Sequence, residues 1–232
     1  MMKVGLQKTS LIDYPGKVSC VLFIQGCNFR CPYCHNPNLV NPRESQDTFM
    51  SEKGAHDFLK SRRDFLDGVV ISGGEPCIHK DLIILCEKIK KIGYPIKLDT
   101  NGSRPQVLKR LIAEGFLDYI AMDVKTDPCQ YRPVITRRYD PGRILLSIQL
   151  IMESNLSYEF RTTCVRPIVS EKAVEAIART IKGARRYVLQ RFSHLKVLRP
   201  DYFKGTGSGY EEHELSNLKS IAEPWVQECT IR

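Results

Sequence analysis

An α/β fold on a parallel sheet is predicted for this 232-residue chain by three features of its sequence. Short apolar runs of strand length recur six times, segments of helical period lie between them, and the least ordinary polar residues gather where the runs end. Parallel neighbours need a crossover of a dozen or more residues, which the five intervening helical segments supply. The residues leave two architectures open: a curved, partly open (β/α)6 barrel of parallel strands, or a doubly wound open sheet. No repeat, low-complexity tract or linker divides the chain, so a single domain is expected over 1–232, with a core at about 18–192 and a closing helix and strand within 193–232.

The elements follow in order. VSCVLFI (18–24) reads as a buried strand, and SEKGAHDFLKSRRDFL (51–66) places Ala55, Phe58, Leu59, Phe65 and Leu66 on one helical face. GVVIS (68–72) is the next strand, followed by KDLIILCEKIKKIG (80–93) with Leu82, Cys86 and Ile89 inward. After the strand IKLDT (96–100), RPQVLKRLIAEG (104–115) has Pro105 in its first turn, Leu108, Leu111 and Ile112 inside, and Gly115 as a stop. YIAMDV (119–124) precedes the helix DPGRILLSIQLIMES (140–154). YEFRTTCV (158–165) precedes SEKAVEAIARTIKG (170–183), which opens at Ser170 and closes at Gly183, and RYVLQRF (186–192) is the sixth run.

Polar residues mark one end of these strands. GGEP (73–76), DTNG (99–102), MDVK (122–125), Arg161 with Thr163, and Gln190 all fall at or near carboxyl ends, where parallel α/β folds build their sites.

Composition narrows the class. No apolar run approaches the roughly 18–20 residues of a membrane helix, and the N-terminal stretch MMKVGLQKTSLIDYPGK lacks the apolar segment and cleavage site of a signal peptide. A cytoplasmic protein is expected, in which nine cysteines point to metal or redox chemistry rather than disulfides. The net charge is +9, but residues 210–232 carry −3, leaving +12 on the first 209. With no nucleic-acid motif and no interleaved aromatics, this charge fits a solvated surface or an acidic protein partner better than nucleic acid.

The densest chemistry lies in GCNFRCPYCHNPNLVNP (26–42). A glutaredoxin-like CPYC needs a helix starting within it, but Pro37 and Pro42 make the following segment read as a loop, and Cys27 would have no role. Haem attachment at CPYCH requires an exported context that the N-terminus does not support. A zinc site of Cys27, Cys31, Cys34 and His35 is strained, because adjacent Cys34 and His35 cannot easily reach one tetrahedral ion. Three thiolates suit a [4Fe–4S] cluster, whose usual fourth cysteine is missing here, so that one iron stays open.

With C-x3-C-x-aromatic-C followed by GGEP, the sequence resembles the radical S-adenosylmethionine enzymes. That resemblance implies the partial (β/α)6 barrel, one [4Fe–4S] cluster on Cys27, Cys31 and Cys34, and S-adenosylmethionine chelated at the open iron. It also implies that Tyr33 lies near the adenine and that Gly73, Gly74, Glu75 and Pro76 hold the methionine amino group. YCHNP, LDTNG and AMDVK look like the activases of glycyl radical enzymes, among them that of pyruvate formate-lyase. The opening LQKTSLIDYPGKVSCVLFIQGCNFRCPYCHNP, YVLQRF and the closing IR are similar to the anaerobic ribonucleoside-triphosphate reductase activating proteins.

Carried over, Asp99, Asn101 and Lys125 meet the cofactor, Lys125 being grouped with the cysteines as catalytic. Asp99, Thr100 and Asp123 help form a site for a monovalent cation, sodium or potassium, and Arg161 faces the ribose or carboxylate. The partners implied are a glycyl radical enzyme as protein substrate and a flavodoxin or ferredoxin as reductant, with neither nucleic acid nor membrane. The basic loop RPVITRRYD, with Arg132, Arg137 and Arg138, is expected at the mouth where a partner's loop enters. A small-molecule enzyme, such as one forming carboxydeazaguanine, is the alternative. The other six cysteines form no C-x2-C and are not expected to be ligands.

Overall fold

Seven parallel strands form the body of the structure, a computed structural model that describes residues 3–40, 49–193, 195–205 and 207–232. They are β2 (Ser19–Ile24), β4 (Gly68–Gly73), β5 (Ile96–Thr100), β6 (Tyr119–Asp123), β7 (Ser157–Cys164), β8 (Tyr187–Arg191) and β9 (Cys229–Ile231). The six predicted strands stand within one or two residues of their expected bounds. At the β2 edge, β1 (Lys3–Ser10) and β3 (Met50–Ser51) add antiparallel, giving the order β3-β1-β2-β4-β5-β6-β7-β8-β9. Sequence reading missed both edge strands, since KVGLQKTS carries only two apolar residues and β3 is two residues long.

The edge strands do not meet, so the sheet is open, but it is strongly curved. Neighbouring strands lie about 4.8 Å apart, and five such steps separate β2 from β8. Cys27, just after β2, and Gln190 on β8 nevertheless line one cavity. The sheet therefore curls into a partial barrel, which decides between the two architectures.

Helices α2 (Glu52–Ser61), α3 (Leu82–Ile92), α4 (Pro105–Ala113), α5 (Pro141–Glu153) and α6 (Glu171–Thr180) cross between strands, and α7 (Glu212–Ala222) precedes β9. The Ser170 hydroxyl accepts from the Ala173 amide to open α6, as predicted, and Gly93 in the left-handed region ends α3. Two local expectations are corrected. First, α2 stops at Ser61, and Phe65 lies beyond it at 69% exposure rather than on a buried face. Arg63 donates to the Ile92 and Gly93 carbonyls, while the chain turns so that the Leu66 amide reaches the Arg62 carbonyl. Second, the segment read as a loop after the cysteines contains one helical turn, α1 (Pro37–Val40), which buries Leu39 and Val40. Pro42 lies outside the described residues.

Alternate residues of each strand serve different layers. Leu22, Ile71, Leu98, Ile120 and Phe160 join the large core under the helices. The inner face carries a small cluster of Tyr14, Val21, Val70, Tyr119 and Ala121, where Tyr14 meets Tyr119 edge-on at 6.0 Å between ring centroids. Above that cluster the inner face turns polar. Among the described residues no helix is long and apolar enough to cross a membrane.

Candidate active site

A cavity of about 230 Å³ opens at the carboxyl ends of the strands. Cys27, Cys31, Cys34, Tyr33, Gly73, Gly74, Asp99, Thr100, Asn101, Asp123, Lys125 and Arg161 all line it. So do Thr163 and Gln190, two further strand-end residues singled out in the sequence, and His35, weighed there as a zinc ligand, together with Phe29, Ser72, Asn36 and Val40, which were not named individually.

The cysteine loop is held by backbone hydrogen bonds from several directions. Gly26 N donates to Leu39 O at 2.7 Å, Arg30 N to Ile135 O at 2.8 Å, and Arg199 N to Pro32 O at 3.0 Å. Within the loop Cys34 N reaches Cys31 O at 3.1 Å, and Phe29 N reaches the Cys27 sulfur at 3.4 Å. Burial pushes the Cys27 thiol up to about 11 and the Cys31 thiol up to about 12. His35 turns away: its Nδ1 lies 3.1 Å from Lys196 O and its ring packs on Phe192. Among the described residues no three His, Cys, Asp or Glu side chains converge on a single ion, so a Cys3His zinc cage is not built here. The donor set on the wall is three thiols without a fourth, which fits a cluster with one iron free.

The two glycines of GGEP are required by backbone approach. Gly74 N donates to Ile24 O and Glu75 N to Gly26 O, both at 2.8 Å, zipping this segment to the cysteine loop. A Cβ on Gly73 (φ +124°) would lie 2.3 Å from Ile24 O, and one on Gly74 would lie 2.0 Å from Gly26 O. Glu75 and Pro76, expected to meet the cofactor, lie behind the wall. The Glu75 carboxylate is wholly buried, taking Cys77 N and the Thr100 hydroxyl on Oε1 (3.0 and 2.8 Å) and Asn101 N on Oε2 (2.6 Å). Burial pushes its pKa up, while these donors favour the charged form. Glu75 thus fastens GGEP to DTNG. Asn101 in turn donates to Asn28 Oδ1 at 3.1 Å, bringing the cysteine loop into the same frame.

Beneath the loops lies a run of opposite charges on the inner faces of β5, β6 and β7. Asp123 accepts from Arg161 Nε on Oδ1 at 2.7 Å and from Lys125 Nζ on Oδ2 at 2.9 Å. Asp99 accepts from Lys97 Nζ on Oδ1, with Arg161 at 3.5 Å from the same oxygen, and from Ser72 on Oδ2 at 3.0 Å. Arg161 also lies 4.0 Å from buried Glu159, whose other cation is Arg232 at 3.2 Å. Burial alone would raise both aspartic acids, but Arg161 with Lys97 or Lys125 overcomes it and holds them below the usual range, Asp123 far below. Burial likewise works against the charge of Lys125 and Arg161, and their carboxylate partners reverse it, leaving both pKa values raised.

Lys97, 1% exposed, is the residue that sequence reading missed. Its signal was a lysine inside an otherwise buried strand, two positions before an aspartate and so on the same face. Arg161, expected at the ribose or carboxylate, does reach the cavity, but its nearest partners are carboxylates of the protein. The Tyr33 side chain is buried, its hydroxyl directed at Lys125 O. Of the other six cysteines none lines the cavity: Cys20, Cys77, Cys86, Cys164 and Cys229 are buried and Cys129 is exposed elsewhere.

Comparison with known proteins gives the family. The sequence profile of the Radical SAM superfamily matches residues 21–181. A Methanocaldococcus jannaschii protein named "Putative glycyl-radical enzyme activating enzyme" is 36% identical over 233 residues, covering 98% of this chain and 94% of that one. The pyruvate formate-lyase-activating enzyme of Streptococcus mutans is 33% identical over 138 residues, 53% of this chain and 50% of its own. Among solved structures, Streptococcus suis SuiB bound to precursor peptide SuiA superposes with a TM-score of 0.65 at 14% identity, over 89% of this chain and 46% of that one, a likeness of fold. The chain belongs to the radical SAM superfamily and, within it, to the glycyl-radical enzyme activating enzymes.

Two outcomes follow from this geometry. Gly74→Ala should lower unfolding stability by about 3 kcal/mol in urea titrations, as over-packing against fixed backbone does. Gly209→Ala, with nothing within 4 Å of its Cβ, should change it by less than about 0.5 kcal/mol. Because Asp99 and Asp123 are depressed in the folded state, their ion pairs contribute fully above the unfolded pKa of about 3.9 and are lost as pH falls below it. Stability should therefore hold between pH 7 and 5 and drop below about pH 4. Asp99→Asn should show a smaller acid drop, and a loss of about 3–5 kcal/mol at pH 7 from stranding buried cations.

Proposed function

We propose that this radical SAM enzyme removes a hydrogen atom from a backbone glycine of a partner protein, installing a glycyl radical, and that the partner is anaerobic ribonucleoside-triphosphate reductase. In this reading Cys27, Cys31 and Cys34 hold one [4Fe–4S] cluster, and S-adenosylmethionine occupies the cavity beside it. A cluster bound there and reduced by a flavodoxin or ferredoxin would supply the one electron needed to cleave the sulfonium, giving methionine and, after hydrogen transfer from the glycine, 5′-deoxyadenosine, so one electron would be consumed for each glycyl radical made.

The chain's own part is positioning. Gly73 and Gly74 would present bare backbone to the methionine amino group. Lys125 and Arg161 would be the cations for its carboxylate, and Asn101 would fix the loop beside the cluster. Tyr33 would offer its backbone to the adenine.

A single observation carries the choice of a protein substrate: a wide basic surface adjoins the cavity. Phe29 is shared with a basin of about 520 Å³ lined by Arg104, Arg138 and Arg143. Asn28, Thr136 and Arg138 are shared with a further cleft of about 670 Å³ that adds Arg30, Arg137 and Arg199. The loop carrying Arg132, Arg137 and Arg138 is anchored by buried Tyr131, whose hydroxyl accepts from Lys125 N at 2.9 Å. Such a surface supports entry of an acidic, extended loop of a partner. The resemblance to the reductase-activating proteins in YVLQRF and the closing IR supports the choice among glycyl radical enzymes.

Reduced, reconstituted protein should contain about four irons. With S-adenosylmethionine and the reductase, it should give a glycyl doublet in electron paramagnetic resonance. Replacing any of Cys27, Cys31 or Cys34 by alanine should remove both the iron and the signal. A radical on pyruvate formate-lyase alone would reassign the partner, and cofactor cleavage with no radical on any candidate would favour a small-molecule substrate. Reversing Arg137 and Arg138 to glutamate should slow activation about tenfold at low ionic strength, a difference that shrinks as salt rises.

A further inference from the structure

Resemblance to the activases places a sodium or potassium ion at Asp99, Thr100 and Asp123, and the residues present here do not fit it. Both oxygens of Asp123 are engaged, one by Arg161 and one by Lys125. Both oxygens of Asp99 are engaged as well, one by Lys97 and one by Ser72. The Thr100 hydroxyl donates to Glu75 at 2.8 Å and accepts from Gly102 N at 3.1 Å.

Charge argues the same way. Inside the barrel Asp99, Asp123 and Glu159 face Lys97, Lys125 and Arg161, so three carboxylates already meet three cations, with Arg232 added at the far end. A further cation would be an unbalanced charge among partly buried groups. Lys97 is the unusual member. Its β-sheet neighbours are Val70 and Tyr119, and its ammonium lies 5.9 Å from the Tyr119 ring centroid. The carboxylate paired with the ammonium is that of Asp99, toward which it rises from two residues below.

The geometry points to Lys97 as a built-in replacement for the alkali cation: its ammonium, with Arg161 beside it, neutralises Asp99 permanently, and this chain binds S-adenosylmethionine without sodium or potassium. Lys97 is then a positioning residue, holding Asp99 and through it Arg161 for the methionine carboxylate. This inference rests on reading the cavity as the S-adenosylmethionine site.

The test compares potassium, sodium and choline chlorides at equal ionic strength, choline being too large for such a site. Under anaerobic conditions the cluster-loaded protein is followed by thermal unfolding and by calorimetric binding of S-adenosylmethionine. Wild-type unfolding temperature and affinity should be the same in all three salts. Lys97→Gln should bind about tenfold more weakly in choline than in potassium, and potassium should raise its unfolding temperature, as any ligand of the native state does. Lys97→Arg should keep the salt-independent behaviour. A wild type stabilised by potassium over choline, or a folded Lys97→Gln with no response to potassium, would overturn the inference. Should Lys97→Gln not fold, the wild-type and Lys97→Arg comparisons decide the matter. Failure to bind S-adenosylmethionine in any salt would refute the functional reading instead, while the unfolding temperatures still report whether an alkali ion binds.

Discussion

Charges enclosed in a barrel must cancel, and the polar half of this barrel is organised by that requirement. Water solvates an exposed aspartate or lysine cheaply, whereas an unpaired buried one costs several kcal/mol. Here the parallel register of β5, β6 and β7 brings Asp99 level with Ala121 and Asp123 level with Arg161, so side chains two residues apart share the inner face and alternate in sign. Below them Tyr14 and Tyr119 close the apolar floor. Such a run contributes little net stability compared with an apolar filling of the same volume. Its value lies in a fixed, polar and charge-balanced wall at the height where a zwitterionic ligand would sit.

The rim is rigid for a different reason. Glu75 ties two strand-end loops together through one fully buried carboxylate, and the glycine pair lets a third loop, carrying the cysteines, dock by backbone hydrogen bonds. Glu75, which does not line the cavity, therefore helps to set its shape. A radical reaction relies on the cofactor for its difficult bond-breaking step, and the protein's task is placement. The frame that holds the loops matters as much as the groups facing the ligand.

The mouth is broad and basic, and these two qualities belong together. The seven parallel strands are fewer than the eight of a closed barrel and the edge strands do not meet, so part of the rim is left to loops. At the rim the β6–α5 connection carries exposed arginines over a buried anchor at Tyr131, giving a firm base to a charged surface. Such charge steers an encounter more than it strengthens a contact.

The sequence by itself determined the six central strands and the place of the site. Strands buried on both faces read as unbroken apolar runs, and carboxyl-end residues stand out because they interrupt them. The cysteine motif was equally legible, because the grouping of three thiols on one loop is set by local spacing. Phe65, the edge strands and the helical turn at Pro37–Val40 were not, since helix length, edge pairing and packing under the loop depend on neighbours distant in the chain. Tertiary structure alone decided that the sheet curls rather than lies flat. It also decided that Glu75 braces the loops from behind the wall, and that Lys97 neutralises Asp99 where an alkali ion was expected. The physical reason is common to all of these. A carboxylate's role depends on which donors and cations meet it, and those come from strands and loops up to dozens of residues away.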